Sequence, residues 1–413
     1  MTADSLERIT PDSLLTDLFT EQARANPYPL YRALSEFGPI APLTENPSGV
    51  TPFAAVATGY DVVDTVLRDV TFYKKGIPNW QEHTLLSTFE TSMMFTNPPT
   101  HSRMRNLFSR TFTPRRLSSI DPTIERLVDD LLDGMAAKEA AGEQVDFVED
   151  FASPLPALVM AAFVGIPPEQ LDWYRARVRP IDAFLDLNGK TADALAEADR
   201  AAGELRGFYA ELIASKRAEP RDDLLSALIK ALDGGQHQLT DDELISNMIV
   251  LFNASFLTTI YMLGSGLPLL LSRPDVVAAL PGNPDLALDC VHEILRCESP
   301  VQFLTRAAPA DTELAGVRVP KDGVVLLLVG AANRDPARFT DPDGFDPYRE
   351  KLTSLSFGAG PHYCIGAAVS RAEGRIALPR IFARFPRLAL AGEPVGTGSL
   401  FLRGMNSVPV TLG

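Results

Sequence analysis

The sequence predicts a mainly α protein with small β-sheets, built round one long central helix. Three observations predict it. Apolar residues recur at helical spacing through most of the 413 residues. One such stretch, from Asp241 to about Leu271, is longer than globular helices usually are. Short β-branched runs bounded by turn residues are confined to the N-terminal quarter and to the region after residue 300. Apolar residues make up 46% of the chain, ample for a sizeable core.

In chain order, residues 12–36 read as helical with a cap at Asp12, and residues 51–58 as a short strand. From Thr123 to Gly134 the pattern Ile-x-x-Leu-Val-x-x-Leu-Leu has the helical period, as do 153–164, 190–216 and 223–232. The long helix follows. Another, 285–298, stops at Ser299-Pro300, because the residue before a proline is pushed out of the helical region. Val317, Val319 and the run Val324 to Val329 read as strands, with turns at Gly316 and Lys321-Asp322-Gly323. Residues 365–385 are helical. No repeat or low-complexity linker divides the chain, so 1–413 reads as a single domain, its β-containing parts (35–60 and 310–413) packed on a helical body.

A net charge of −15 disfavours nucleic acid as a partner. The stretch Met1 to Pro11 has no apolar signal region, and no apolar run reaches the roughly 20 residues of a membrane helix. The longest, Met262 to Leu271, contains Gly264, Gly266 and Pro268. A soluble cytoplasmic protein, monomeric and without a membrane partner, is expected. Cys290 and Cys297 are seven apart on a helix, a rise of about 10 Å, beyond the roughly 7 Å Cα limit of a disulfide; both read as buried thiols. No Gly-x-Ser-x-Gly elbow or His-Glu-x-x-His zinc pair is present.

Cys364 differs. It follows Phe357-Gly358-Ala359-Gly360-Pro361-His362 and precedes a helix. A thiolate there is stabilised by amide dipoles, and glycines let backbone N–H groups approach the sulfur. Gly358-x-Gly360 lacks the third glycine and the Gly-Lys-Ser/Thr of a phosphate loop. The string Phe-x-x-Gly-x-His-x-Cys-x-Gly resembles the haem-ligand signature of the cytochrome P450 family at every position. The resemblance covers residues 12 to 412 and implies the P450 fold, a long helix above the haem, and haem b held through Cys364 between Phe357 and Gly366. A thiolate ligand pushes electron density onto iron and favours O–O cleavage. O2 and electrons from NAD(P)H, through a ferredoxin and its reductase or a flavodoxin, are implied with it.

Other segments match in family positions. Glu293-Ile294-Leu295-Arg296 lies 71 residues before Cys364, where the family has a buried structural pair. The family's third partner is left open: Pro336-Ala337-Arg338-Phe339 looks too early, Pro342-Asp343-Gly344-Phe345 lacks the arginine, and Arg349 remains as a guess. Asn97-Pro98-Pro99-Thr100-His101-Ser102-Arg103-Met104-Arg105 resembles the start of the family's helix C. By resemblance His101, Arg105, Arg306 and His362 contact the haem propionates. Arg103, Arg105, Arg110, Arg115 and Arg116 fall within 14 residues that hold no acid, and those facing outward are expected to dock the electron donor.

The long helix departs from the family. Its Ala-Gly-x-Asp/Glu-Thr-Thr site reads here Ala254-Ser255-Phe256-Leu257-Thr258-Thr259. Thr258 keeps the oxygen-stabilising hydroxyl, but Leu257 replaces the proton-relaying acid. Ser255 and Asn253 either line the oxygen side or merely bond back to their own helix. Ser-Phe-Leu-Thr-Thr is similar to the same helix in bacterial P450 enzymes that couple aromatic rings of cyclic dipeptides or close C–N bonds on indole dipeptides. Oxidative coupling or ring closure of an aromatic, peptide-derived natural product is therefore expected. Hydroxylation of a macrolide, terpene or fatty acid, and a non-catalytic haem sensor, are the alternatives. By family position the substrate pocket takes Trp80 and Phe89 from the loop Gly76 to Met94, with Phe184, Ala254, Val301, Gln302, Phe303, Leu400 and Phe401.

Overall fold

The computed structural model describes residues 9–44, 53–76, 80–185, 191–233, 239–350 and 353–413. Thr51, Pro52 and Lys190, at the edges of two sequence-predicted elements, lie outside them. The long helix spans Asp241–Leu271, about 46 Å at the α-helical rise. Its start is fixed by a capping box. The Thr240 hydroxyl accepts the Glu243 N–H at 3.1 Å, and the Glu243 carboxylate accepts the Thr240 N–H at 2.9 Å. Asp241, Asp242 and Glu243 place negative charge at the positive end of the helix dipole.

Beyond Glu243 the helix carries no charge to its end, so it must be packed on most sides. It is long and apolar enough to cross a membrane, with a mean hydropathy of 1.5, yet 78% of that window is buried inside the protein. Helices Thr84–Thr91, Pro154–Val164, Ala192–Ala218 and Pro284–Cys297 cover it. The last comes closest at Gly266, where a Cβ would sit 2.7 Å from Ile294 Cδ1.

Val324–Leu328 is buried at every position and forms the centre of a four-stranded sheet. It runs parallel to Phe53–Ala57 and antiparallel to Phe303–Ala307, with Arg306 opposite Val325. Such a strand, covered on both faces, reads as a continuous apolar run. Phe303–Ala307 carries Thr305 and Arg306 and shows no such run. Near the C-terminus, Pro409–Thr411 pairs with Val145–Asp146 and with Ala389–Leu390.

The stretch 12–36 is not one helix but three: Pro11–Asp17, Glu21–Ala25 and Tyr28–Ser35. Pro11 takes the first helical position, so Thr10 is the cap and Asp12 lies one residue inside the helix. The Asp12 carboxylate instead accepts the Thr44 N–H at 2.9 Å.

The Glu293–Arg296 pair is fully buried and holds the region before Cys364 in place. Arg296 donates to both Glu293 oxygens at 2.7 Å, a bidentate geometry. Its remaining hydrogens reach the carbonyls of Asn333, Pro342 and Gly344. The third partner is Arg349, whose Nε donates to Glu293 Oε1 at 2.8 Å. Gly344, where an arginine was sought, contributes a carbonyl to Arg296 and to Arg349. Arg338 lies over the Tyr60 ring instead, while Phe339 lies under the Arg296 guanidinium. Ser356 joins the cysteine loop to this helix by donating to the Leu295 carbonyl at 2.6 Å.

Candidate active site

Residues 357–364 form a compact loop. The Cys364 N–H donates to the Phe357 carbonyl at 2.9 Å, and the Tyr363 N–H to the Gly360 carbonyl at 3.0 Å. Gly360 has φ +66°, and a Cβ there would stand 2.4 Å from the Leu67 carbonyl oxygen. Only glycine lets the loop approach the helix Tyr60–Arg68 this closely. Cys364 then opens helix Ala367–Arg384. Cys364 keeps accessible surface as a residue, while protein crowds its thiol. Burial raises the thiol pKa, and the Gly366 N–H, Arg105, the Ala367 N–H and Arg371 oppose that rise.

Facing the same region is a group of nitrogen bases without an acid. The His101 and His362 rings lie 4.0 Å apart, and neither ring nitrogen of buried His101 has a hydrogen-bond partner among the described residues. Burial, then Arg105, Lys74 and Arg306, lowers the His101 pKa to about 4. Burial alone brings Arg306 down to about 10, and the one hydrogen bond of its guanidinium among the described residues goes to the neighbouring Thr305 carbonyl. Lys74 is half-buried as a residue, but protein crowds its ammonium; burial and Arg306 lower its pKa to about 7. The charges acting on these groups are one another's, apart from Cys364 beside Arg105.

The sequence reading missed Lys74. It is placed through Asn97, whose side chain accepts the Lys74 N–H at 2.8 Å and donates to its carbonyl at 2.9 Å. Nothing local marked it, because the clamp joins residues 23 apart.

On the long helix, the Thr258 hydroxyl donates to the Ala254 carbonyl at 2.8 Å, and the Ser255 hydroxyl to the Phe252 carbonyl at 2.7 Å. Asn253 does not bond back: its Oδ1 and Nδ2 are buried without partners among the described residues. A cavity of about 350 Å³ lies along this helix. Phe256, Leu257 and Ile260 line it, with Asp182 of helix Leu171–Leu185 and Ser399 and Met405 of the C-terminal segment.

The expected pocket residues are scattered. Ala254 is half-buried on the long helix, and Val301 is half-buried in a bridge to Leu402. The Phe303 and Phe401 rings pack 5.1 Å apart. Phe89 and Phe184 are buried in the main core, and Leu400 in a separate cluster with the N-terminal helices. Gln302 is fully buried; it donates to the Ser299 carbonyl and accepts from the Tyr31 hydroxyl. Residues 77–79 and the Trp80 side chain lie outside the described part.

A lone thiolate at a helix start, facing cationic groups that lack an anion, is suited to an iron porphyrin with two carboxylates. Comparison with known proteins agrees. The sequence profile described as "Cytochrome P450" matches residues 36–285 and 285–394. The 6-deoxyerythronolide B hydroxylase of Saccharopolyspora erythraea is 35% identical over 412 residues, covering 96% of this chain and 98% of that protein. P450BioI, solved with an acyl carrier protein ligated to hexadec-9Z-enoic acid, superposes with a TM-score of 0.86 at 32% identity, over 95% of this chain and 100% of that one. CxnD, described as the P450 for C–S bond formation in chuangxinmycin biosynthesis, gives 0.80 at 29% identity, over 94% and 95%.

The chain belongs to the cytochrome P450 family. It is a haem-dependent monooxygenase of bacterial type, of a family that ligates iron through a cysteine thiolate and takes electrons from redox partners. The residues present fit haem: the partnerless His101 nitrogens and the acid-free cations are the complement of two propionates. Lys74→Met is expected to speed haem loss several-fold, measured as transfer to apomyoglobin. An unchanged rate would remove Lys74 from the propionate site.

Proposed function

We propose that this P450 carries out oxidative coupling or ring closure of an aromatic, peptide-derived substrate, and that Cys364 would hold the haem iron. His101, Arg105, Arg306, His362 and Lys74 hold the propionates, and Phe357 and Gly366 flank the thiolate. Haem bound there supplies O2 activation with two external electrons.

The observation that carries the reaction type is the broken proton path. Between Leu244 and Leu271 the long helix has no acid, and the hydroxyl hydrogens of Ser255 and Thr258 are committed to their own helix. Leu257 holds no proton, and the Asn253 amide carries none that titrates. Thr258 Oγ1 can accept a hydrogen bond, but it has no side-chain acid behind it on this helix. A substrate that gives up its own O–H or N–H hydrogen suits such a site; removing two such hydrogens makes a bond, and these hydrogens, O2, the two external electrons and two protons from solvent leave as two waters. The likeness to CxnD, named for forming a C–S bond, supports this reading. The likeness to a named macrolide hydroxylase supports plain hydroxylation as the second.

Incubation of the haem-loaded enzyme with ferredoxin, its reductase, NAD(P)H and indole-bearing dipeptides tests the choice. Products two hydrogens lighter than substrate are expected. Products that always gain one oxygen would sink the coupling reading.

The electron donor docks, we propose, at Arg110 and Arg115. Of the five clustered arginines, Arg103 is bidentate to Glu243, Arg116 pairs with Asp222 at 3.6 Å and Arg105 is half-buried within electrostatic reach of Cys364. Arg110 and Arg115 are exposed and make no ion pair among the described residues. Arg110→Glu with Arg115→Glu is expected to slow reduction by ferredoxin about tenfold at low salt, the difference fading as salt screens the charges. Rates equal to the parent's at low salt would exclude this face.

A further inference from the structure

The helix Leu171–Leu185 turns Ile181, Asp182 and Phe184 inward. Ile181 and Phe184 belong to the main core, but Asp182 lines the cavity beside the long helix. Asp182 is 8% exposed, and its Oδ2 is buried without a hydrogen-bond partner among the described residues.

Nearby polar groups do not satisfy this carboxyl. The Tyr174 hydroxyl, whose titration feels Asp182, is engaged with the Tyr209 hydroxyl at 2.9 Å. Arg179, one turn earlier on the same helix, is exposed at the cavity rim, and no ion pair joins the two. Burial is the sole influence on the acidity of Asp182 and raises its pKa well above the usual carboxylate range, so no cation compensates it. A buried, uncompensated acid lowers stability, and such costs collect where a ligand later supplies the partner.

The surrounding wall decides what the partner is. Phe256, Leu257, Ile260 and Met405 make it apolar, and a pocket of this kind fixes its ligand's orientation by a few polar contacts. Phe256, Leu257 and Ile260 are residues of the long helix, so a ligand in the cavity lies against that helix. We propose that Asp182 anchors the substrate by accepting a hydrogen bond from a nitrogen-borne donor, an ammonium or an indole N–H, and so selects which edge of the molecule meets the wall of Phe256, Leu257 and Ile260. This rests on the aromatic, peptide-derived reading above. With an ammonium the carboxyl gives up its proton and the ligand becomes its counterion. With an indole N–H it stays neutral and accepts through its carbonyl oxygen.

Three probes of one shape separate these cases: tryptamine, 3-ethylindole and 1-methyl-3-ethylindole. Each is titrated calorimetrically into the ferrous carbonyl form of the haem-loaded enzyme, where an amine cannot take the iron's open position. In the parent, affinity is expected to fall at least tenfold from the best nitrogen donor to the methylated indole, the step at which it falls identifying ammonium or N–H. In Asp182→Ala the three affinities become equal, with Asp182→Asn between. Haem content and the carbonyl spectrum show that both variants fold. Three equal affinities in the parent, or the parent's pattern persisting in Asp182→Ala, would overturn the anchor and leave the aromatic reading standing. No binding by any of the three would overturn both.

Discussion

Cys364→Ser is expected to abolish the thiolate-type spectrum of the reduced carbonyl complex and to lower turnover by about three orders of magnitude, or roughly 4 kcal/mol of barrier. The size follows from what sulfur does: a thiolate pushes electron density onto iron and assists O–O cleavage, and a serine oxygen does so far less. The variant keeps the loop, because the hydrogen bond from residue 364 to the Phe357 carbonyl comes from the backbone. It keeps the cations at Arg105 and Arg306 as well, so haem still enters. The other two thiols cannot stand in. Burial pushes Cys290 and Cys297 up to about 12, and both lie inside the helix Pro284–Cys297. A variant that retained the thiolate-type spectrum would remove Cys364 from the iron.

Glu293→Ala is expected to be the most destabilising single change, costing about 3–5 kcal/mol, the range for breaking a buried ion pair. It leaves Arg296, fully buried, and Arg349, nearly so, with no carboxylate between them. Arg296→Lys is expected to fail almost as badly. A lysine keeps the charge, but its single nitrogen cannot span both Glu293 oxygens and the carbonyls of Asn333, Pro342 and Gly344. Arg349→Ala costs less, since Glu293 keeps its bidentate partner. Denaturant midpoints of the haem-loaded proteins check the order. A lysine variant as stable as the parent would show that charge, not the fork, holds the region together.

What could be read in the sequence was whatever is written in local spacing. The long helix declared itself through its length, a helical stretch from Asp241 to about Leu271. The cysteine loop is contiguous, and Glu293 and Arg296 are three residues apart on one helix face. What could not be read depends on distant partners. Arg349 became identifiable only when Gly344 and Glu293 came together. Phe303–Ala307 is a strand because Val324–Leu328 lies beside it. The C-terminal strands, two or three residues each, are too short to show a period. Lys74 and Asp182 carry no motif; burial leaves the Lys74 ammonium to the Met94 carbonyl, and Asp182 Oδ2 without a hydrogen-bond partner among the described residues. The first cap was placed at Asp12, whereas Pro11 takes the first helical position and Thr10 is the cap. Ser255 and Asn253 read alike as polar residues on one helix, yet one bonds back to Phe252 and the other is left without a partner.

The nitrogen bases round His101 have a consequence for how much of this enzyme a cell contains. Without a dianion among them, Arg306 repels Lys74, and Arg105, Lys74 and Arg306 oppose a charge on His101, while burial strips charge from His101 and Lys74. Newly made chains therefore fold against this repulsion until haem arrives, and a ligand that binds only the folded state adds stability in proportion to the logarithm of its supply. Chains waiting for haem spend more time open to proteases. The steady-state amount of this P450 should then follow haem synthesis more closely than its own rate of translation, so iron starvation lowers its abundance as well as its activity.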